Sequence, residues 1–137
     1  MDILKLKIIT PKKIALEEDV ISVTAPSSEG EITILPKHMN LFALLDEGIV
    51  KIVKKTGEDF LAIGGGYLQT DGDEVNVLVS RAYGQTDIDI DLTNKAVEEA
   101  KKIISQTKDI SQRAQANVLL RRSMLNIKLL KKRKRSL

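Results

Sequence analysis

Along the first 83 residues, apolar and polar side chains alternate in short stretches bounded by turn residues, the signature of half-buried antiparallel strands. Leu4, Leu6 and Ile8 alternate with Lys5 and Lys7, so the beginning reads as a strand and not as the unbroken apolar run of a signal peptide. Residues 20–25 place Ile21, Val23 and Ala25 on one face, and residues 31–34 pair Ile32 with Ile34. Residues 49–53 and 59–63 flank Lys54-Lys55-Thr56-Gly57-Glu58, a hairpin-like connection. Residues 74–79 follow Asp71-Gly72-Asp73, a strong turn signal because Gly accepts positive φ and Asp bonds its own backbone. Short strands with such frequent turns predict a sandwich or barrel.

After Gly84 the period changes. Residues 85–91 form an acidic connector whose Asp87, Asp89 and Asp91 suit the unpaired N–H groups of a following helix N-terminus. From Leu92 the spacing is helical, with Leu92, Ala96, Ala100 and Ile103 in one stripe and Val97 and Ile104 widening it. Residues 105–108 break this pattern, and Asp109 with Gln112 resembles a capping pair that opens a second helix. The expected tail is a helical hairpin. Its second helix carries two apolar seams at about 100° per residue. Ala116, Leu119, Leu120, Met124, Ile127 and Leu130 form one, and Ala114, Val118, Leu125 and Leu129 the other. A simple hairpin needs only one seam, so the second predicts a further surface.

Charge divides the chain the same way. Residues 1–86 hold 9 Lys/Arg and 13 Asp/Glu, a balance of −4, whereas residues 87–137 hold 13 and 6, a balance of +7. Arg121, Arg122 and Lys128 lie between the seams, and the helix runs into Lys131-Lys132-Arg133-Lys134-Arg135. Cations at a helix C-terminus have a local explanation in the helix dipole. An acidic partner surface explains seams and charges together. No cysteine is present, which excludes disulfides and thiolate sites and fits a reducing compartment. The single histidine, His38, rules out a multi-histidine metal site. No stretch approaches the roughly 18 apolar residues of a membrane span, so a soluble or peripheral protein is expected.

Catalysis finds little support. Pro36, Lys37, Met39 and Asn40 around His38 supply neither nucleophile nor carboxylate, so His38 reads as a turn or interface residue. Gly64-Gly65-Gly66 lacks the Lys-Ser/Thr and the strand-loop-helix setting of a phosphate loop, and predicts a bulge or close backbone approach. The aspartates of the connector lack the glycine and distal Glu of a calcium loop. No metal or cofactor is expected. The rival for the basic tail is nucleic-acid binding by a β-domain with a basic helical arm. Two Phe and two Tyr in the whole chain, and an acidic front half, weigh against it.

Two separated motifs then resemble one family. Ser28-Glu29-Gly30-Glu31-Ile32-Thr33-Ile34-Leu35-Pro36-Lys37-His38, with Leu41 and Glu47-Gly48-Ile49-Val50-Lys51-Ile52, is similar to the pattern SEGExGILPGHAPLLxxLxPGxVxI of the epsilon subunit of bacterial F-type ATP synthase. Gly64-Gly65-Gly66-Tyr67-Leu68-Gln69 followed by Val75-Asn76-Val77-Leu78 resembles that family's GGGxLEV…VTVLA. The resemblance implies an all-β N-terminal sandwich of about ten strands over residues 1–84, the acidic connector 85–91, and a C-terminal α-helical hairpin over residues 92–137.

The same resemblance implies a non-catalytic stalk subunit that couples ion-driven ring rotation to ATP synthesis, peripheral at the cytoplasmic face of the bacterial membrane and in contact with it only through the complex. The sandwich would meet the gamma subunit and the c-ring, with Glu31 on the ring-facing loop and His38 near gamma. The second helix would leave its compact hairpin and meet acidic segments of the beta subunits through Arg121, Arg122 and Lys128, blocking ATP hydrolysis. Two departures are visible. Lys37-His38-Met39-Asn40 replaces the family's GHAP, so an altered corner is expected. Ile90-Asp91-Leu92-Thr93-Asn94-Lys95 keeps only the first half of the ATP-binding motif I/L-D-x-x-R-A, and Asn94 has no guanidinium to offer a phosphate, so at most weak ATP binding is expected.

Overall fold

The computed structural model describes residues 2–37 and 40–132. Residues 2–84 form one compact unit and Gln85–Lys132 a second. The first holds ten strands: β1 (Leu4–Ile9), β2 (Ile14–Val20), β3 (Ser22–Ser27), β4 (Gly30–Ile34), β5 (Leu41–Leu45), β6 (Gly48–Lys54), β7 (Gly57–Ile63), β8 (Gly66–Thr70), β9 (Glu74–Val79) and β10 (Ala82–Tyr83). Hydrogen bonding runs in the order β10-β7-β6-β3-β5-β8-β9-β1-β2, with β4 on β3. Only β1 with β9 is a parallel pair; the other pairings are antiparallel.

Period two decides what lies inside. Leu4, Leu6 and Ile8 of β1 are fully buried, as are Val23 and Ala25, Val50 and Ile52, and Val75 and Val77. Ile34, Leu45, Ile63 and Leu68 complete one apolar core. The β6 face then continues to Lys54, whose side chain is only 7% exposed. Its ammonium is neutralised by Glu18 of β2 and by Asp59 of β7, the latter at 2.6 Å. A buried cation survives only with such partners. This ionic cluster links β2 to the β6–β7 pair where no strand pairing does.

The structure corrects one strand boundary. Residues 20–25 are not one strand: Val20 ends β2, Ile21 is a bend whose N–H donates to the Val53 carbonyl at 2.7 Å, and β3 begins at Ser22. The polar segment Leu16-Glu17-Glu18-Asp19 hid β2, an edge strand with one partner and few inward positions. The Asp71-Gly72-Asp73 turn is as expected. Gly72 has φ +100°, and the Asp71 carboxylate accepts from the Asp73 and Glu74 N–H groups, both at 2.9 Å.

The second unit opens with a short 3-10 turn at Gln85–Asp87, then α1 (Ile90–Gln106) and α2 (Ile110–Leu130), packed as a hairpin. Helix α1 begins two residues earlier than the spacing predicts, because Asp89 caps it by accepting from the Leu92 N–H at 3.0 Å. Its inward stripe is rotated accordingly. Leu92 is 63% exposed, and Thr93 is buried in its place, its hydroxyl satisfied by the Asp89 carbonyl at 2.8 Å. Asp109 caps α2 through the Ser111 and Gln112 N–H groups. The return contact expected from Gln112 is diverted, since its side-chain oxygen accepts from the Thr107 hydroxyl instead.

Candidate docking surface

The outer face of an antiparallel sandwich is ordinarily polar. Strand β5, Leu41-Phe42-Ala43-Leu44-Leu45, breaks that rule. Leu45 points into the core, while Phe42 and Leu44 point out and are 60% and 59% exposed. Strand register extends the apolar surface sideways. Leu44 pairs with Tyr67 on β8, Tyr67 with Leu78 on β9, Leu78 with Ile9 on β1, and Ile9 with Ile14 on β2. Residues paired across strands share a face, so Leu44, Tyr67, Leu78, Ile9 and Ile14 form a row over five strands, ending in an exposed Ile14. Phe42 stacks on the Tyr67 ring with centroids 5.2 Å apart, which stiffens the centre of the row. The next row, Phe42, Gln69, Asn76, Lys7 and Glu17, is polar after its first member. The apolar stripe is therefore bounded, as a specific contact surface is.

The glycines beside the stripe serve packing. A Cβ on Gly66 would lie 2.0 Å from the Leu78 carbonyl oxygen, and one on Gly64 would lie 2.1 Å from Ser80 Oγ. The triplet lets β8 approach β9 closely, as its position between two strands predicts, and leaves room for the ion pair of Arg81 with Glu47. At the turn end of β8, two backbone N–H groups hold the Asp71 carboxyl below the usual carboxylate range, so it stays ionised there.

Each residue singled out from the sequence has a place. Glu31 is exposed on β4, opposite Pro26 of β3. His38 and Met39, and the basic residues from Arg133 onward, lie outside the described residues. The corner before His38 keeps a left-handed backbone although glycine is absent: Lys37 has φ +62°, and its N–H donates to the Gly72 carbonyl at 2.8 Å. Its side chain reaches Asp2 at 3.5 Å, a solvent-exposed pair. Arg121, Arg122 and Lys128 are exposed on α2. Ile90 and Asp91 are exposed in the first turn of α1, and so is Asn94. Of the two seams on α2, the first contributes buried Ala116 and half-buried Leu120, Ile127 and Leu130. The second is split, with Ala114 and Val118 open and Leu129 fully buried. Among the described residues, no group of three or more His, Cys, Asp or Glu could hold a metal ion, and no helix is long and apolar enough to cross a membrane.

The stripe escaped the sequence reading, which placed the contact at Glu31 and His38. Its signal was present in the run Leu41-Phe42-Ala43-Leu44-Leu45, apolar on both faces of a strand. Comparison with known proteins bears on what kind of domain carries it. Residues 3–85 match the family model described as the ATP synthase Delta/Epsilon chain, beta-sandwich domain. The chain belongs to this family. Similarity within the family extends past the sandwich. An ATP synthase epsilon chain from Sulfurovum sp. (strain NBC37-1) is 40% identical over 112 residues, covering 81% of this chain and 87% of its relative. One from Halalkalibacterium halodurans is 33% identical over 128 residues, covering 93% and 92%. Among solved structures, a chain of the Euglena gracilis mitochondrial ATP synthase, OSCP/F1/c-ring in rotational state 1, matches with a TM-score of 0.77 and 27% identity, over 88% of this chain and 76% of that one. The family assignment read from the two motifs is thereby borne out, as is the sandwich followed by a helical pair.

Proposed function

We propose that this chain is the epsilon-type subunit of the central stalk of a rotary ATP synthase, a non-catalytic part that couples ring rotation to ATP synthesis in other subunits. The observation that carries the attachment is the outward apolar row Leu44, Tyr67, Leu78, Ile9 and Ile14 in a domain of this family. Such a row is left open in water only at a cost, and burial against a partner removes it. The gamma subunit is the partner proposed for this face. The c-ring is the partner proposed for the Glu31 edge, and gamma the partner proposed for the segment that carries His38. Membrane association then comes through the complex, on the cytoplasmic face.

Helix α2 is proposed to restrain hydrolysis. Arg121, Arg122 and Lys128 are exposed beside an open half-seam of Ala114 and Val118, a combination suited to acidic segments of the beta subunits. No cofactor role is proposed. With Asn94 where the family motif has arginine, ATP binding through Ile90 and Asp91 is expected to be weak, and a titration saturating at low micromolar ATP contradicts this. The membership of the family leaves the nucleic-acid reading without support.

Reconstitution tests both parts. The chain added to enzyme stripped of this subunit should restore coupling of hydrolysis to ion pumping. A chain ending at Ile110 should restore coupling but give faster hydrolysis; unchanged hydrolysis removes the inhibitory role of α2. Replacing Arg121, Arg122 and Lys128 with glutamine should relieve inhibition in a salt-sensitive way, most at low ionic strength where the charges are least screened.

A further inference from the structure

The hairpin of α1 and α2 is held by little apolar area at its centre. The residues buried along it are Thr93 and Ala100 on α1 and Ala116 and Ser123 on α2, each pair two turns apart and small, with Leu129 in the last turn of α2 the one large buried side chain. Hydrophobic stabilisation scales with apolar area removed from water, so small contacts bind the helices weakly. The closed end is fixed by the Thr107 to Asp109 linker, where Thr107 and Asp109 satisfy the turn. The open end has no such covalent restraint.

The Gln85 side chain spans that end. The Gln85 amide nitrogen donates one hydrogen bond to the Leu129 carbonyl and another to the Lys132 carbonyl, both 2.8 Å. The Leu129 carbonyl also accepts from the Lys132 N–H at 3.0 Å, so the glutamine shares that acceptor, while Lys132 lies just past the end of α2. Both amide protons are used, and Gln85 is itself fixed, since its own carbonyl accepts from the Ile88 N–H in the 3-10 turn that leads to the Asp89 cap. One glutamine thus ties the residues just before α1 to the last turn of α2, 44 and 47 positions away.

We propose that Gln85 is the latch of the helical unit: its two hydrogen bonds set how often α2 separates from α1, and hence how often the faces of α2 become available to a partner. The chemistry is that of a two-pronged donor closing a helix end. Breaking it removes both hydrogen bonds that join the residue ahead of α1 to the end of α2. The geometry of the latch stands alone; its consequence for the enzyme rests on the reading of α2 as a restraint on hydrolysis.

Amide hydrogen exchange on the full-length isolated chain tests the latch. Gln85→Ala should raise exchange across α2, from Ala116 to Leu130, by about tenfold, the effect of losing two ordinary hydrogen bonds. Gln85→Glu, which sets a carboxylate against the two carbonyls, should raise it further. Thr86→Ala, at the exposed neighbour, should leave it unchanged, and the core strands should keep wild-type protection in all three. Exchange that is unchanged in Gln85→Ala, or raised only in the final turn of α2, overturns the proposal. In the reassembled enzyme Gln85→Ala should slow ATP hydrolysis. If exchange rises and hydrolysis does not change, the latch stands and the inhibitory reading of α2 falls.

Discussion

Phe42 and Leu44 give the attachment surface a measurable magnitude. At 60% and 59% exposure they present about 120 and 100 Å² of apolar surface, taking roughly 200 and 170 Å² for the whole residues. Complete burial against a partner is worth about 3 and 2.5 kcal/mol at about 25 cal/mol per Å². Alanine retains the Cβ, so each truncation should cost of order 2 kcal/mol of binding, about thirtyfold in Kd. Calorimetric titration of the chain with isolated gamma subunit, or with stripped enzyme, reads this directly. The same truncations should hardly lower the melting temperature of the free chain, because both side chains face water there. Lys55→Ala, on the exposed β6–β7 turn, serves as the control. If Phe42→Ala and Leu44→Ala shift Kd less than twofold, like the control, the stripe is not the docking face. If they unfold the free chain, their exposure has been misjudged.

Three further outcomes follow from the same physics. Lys54→Ala should destabilise the sandwich by about 3 kcal/mol, since it leaves the Glu18 and Asp59 carboxylates facing each other without their cation, and Lys54→Met should cost less; denaturant unfolding checks both. Lys37→Gly should raise stability by about 0.5 to 1 kcal/mol, because the left-handed backbone at φ +62° disfavours any residue with a Cβ, and an exposed pair with Asp2 offsets little of that; a lower melting temperature would show that the side chain matters more. Asp71 is held below its usual range in the fold, so its contribution is present above about pH 4, the unfolded value, and is lost as pH falls through the lower folded value. Asp71→Asn should therefore lower stability at neutral pH, and the gap to wild type should narrow as pH falls through that lower value.

How far the sequence carried the structure depends on the range over which each signal acts. Local signals sufficed where one strand or one cap decides: Leu4, Leu6 and Ile8, the Asp71-Gly72-Asp73 turn, and Asp109 at the head of α2. They failed where two segments compete. Val20 and Ile21 are both apolar and adjacent, and only the pairing of Leu4 with Val20 and Ser22 with Val53 shows that a bend divides them. Leu92 fits the helical stripe by spacing, but the Asp89 cap sets the helix phase and the Thr93 hydroxyl finds a carbonyl, so the polar residue is buried. The docking row was beyond sequence reading for a similar reason. Ile14 and Leu44 are on one face only through a register that runs across β2, β1, β9, β8 and β5. The Gln85 contacts with α2 arise in the same way, from distant residues brought together by the hairpin.

The central claim, attachment through the outward stripe, meets its most direct test in site-directed cross-linking, made clean by the absence of cysteine from the chain. Leu44→Cys, carrying a short photoactivatable cross-linker and reassembled into the enzyme, should form an adduct with the gamma subunit, while Lys55→Cys treated in the same way should not. An adduct from Lys55→Cys alone, or none from Leu44→Cys in an enzyme that has regained coupling, would contradict the account.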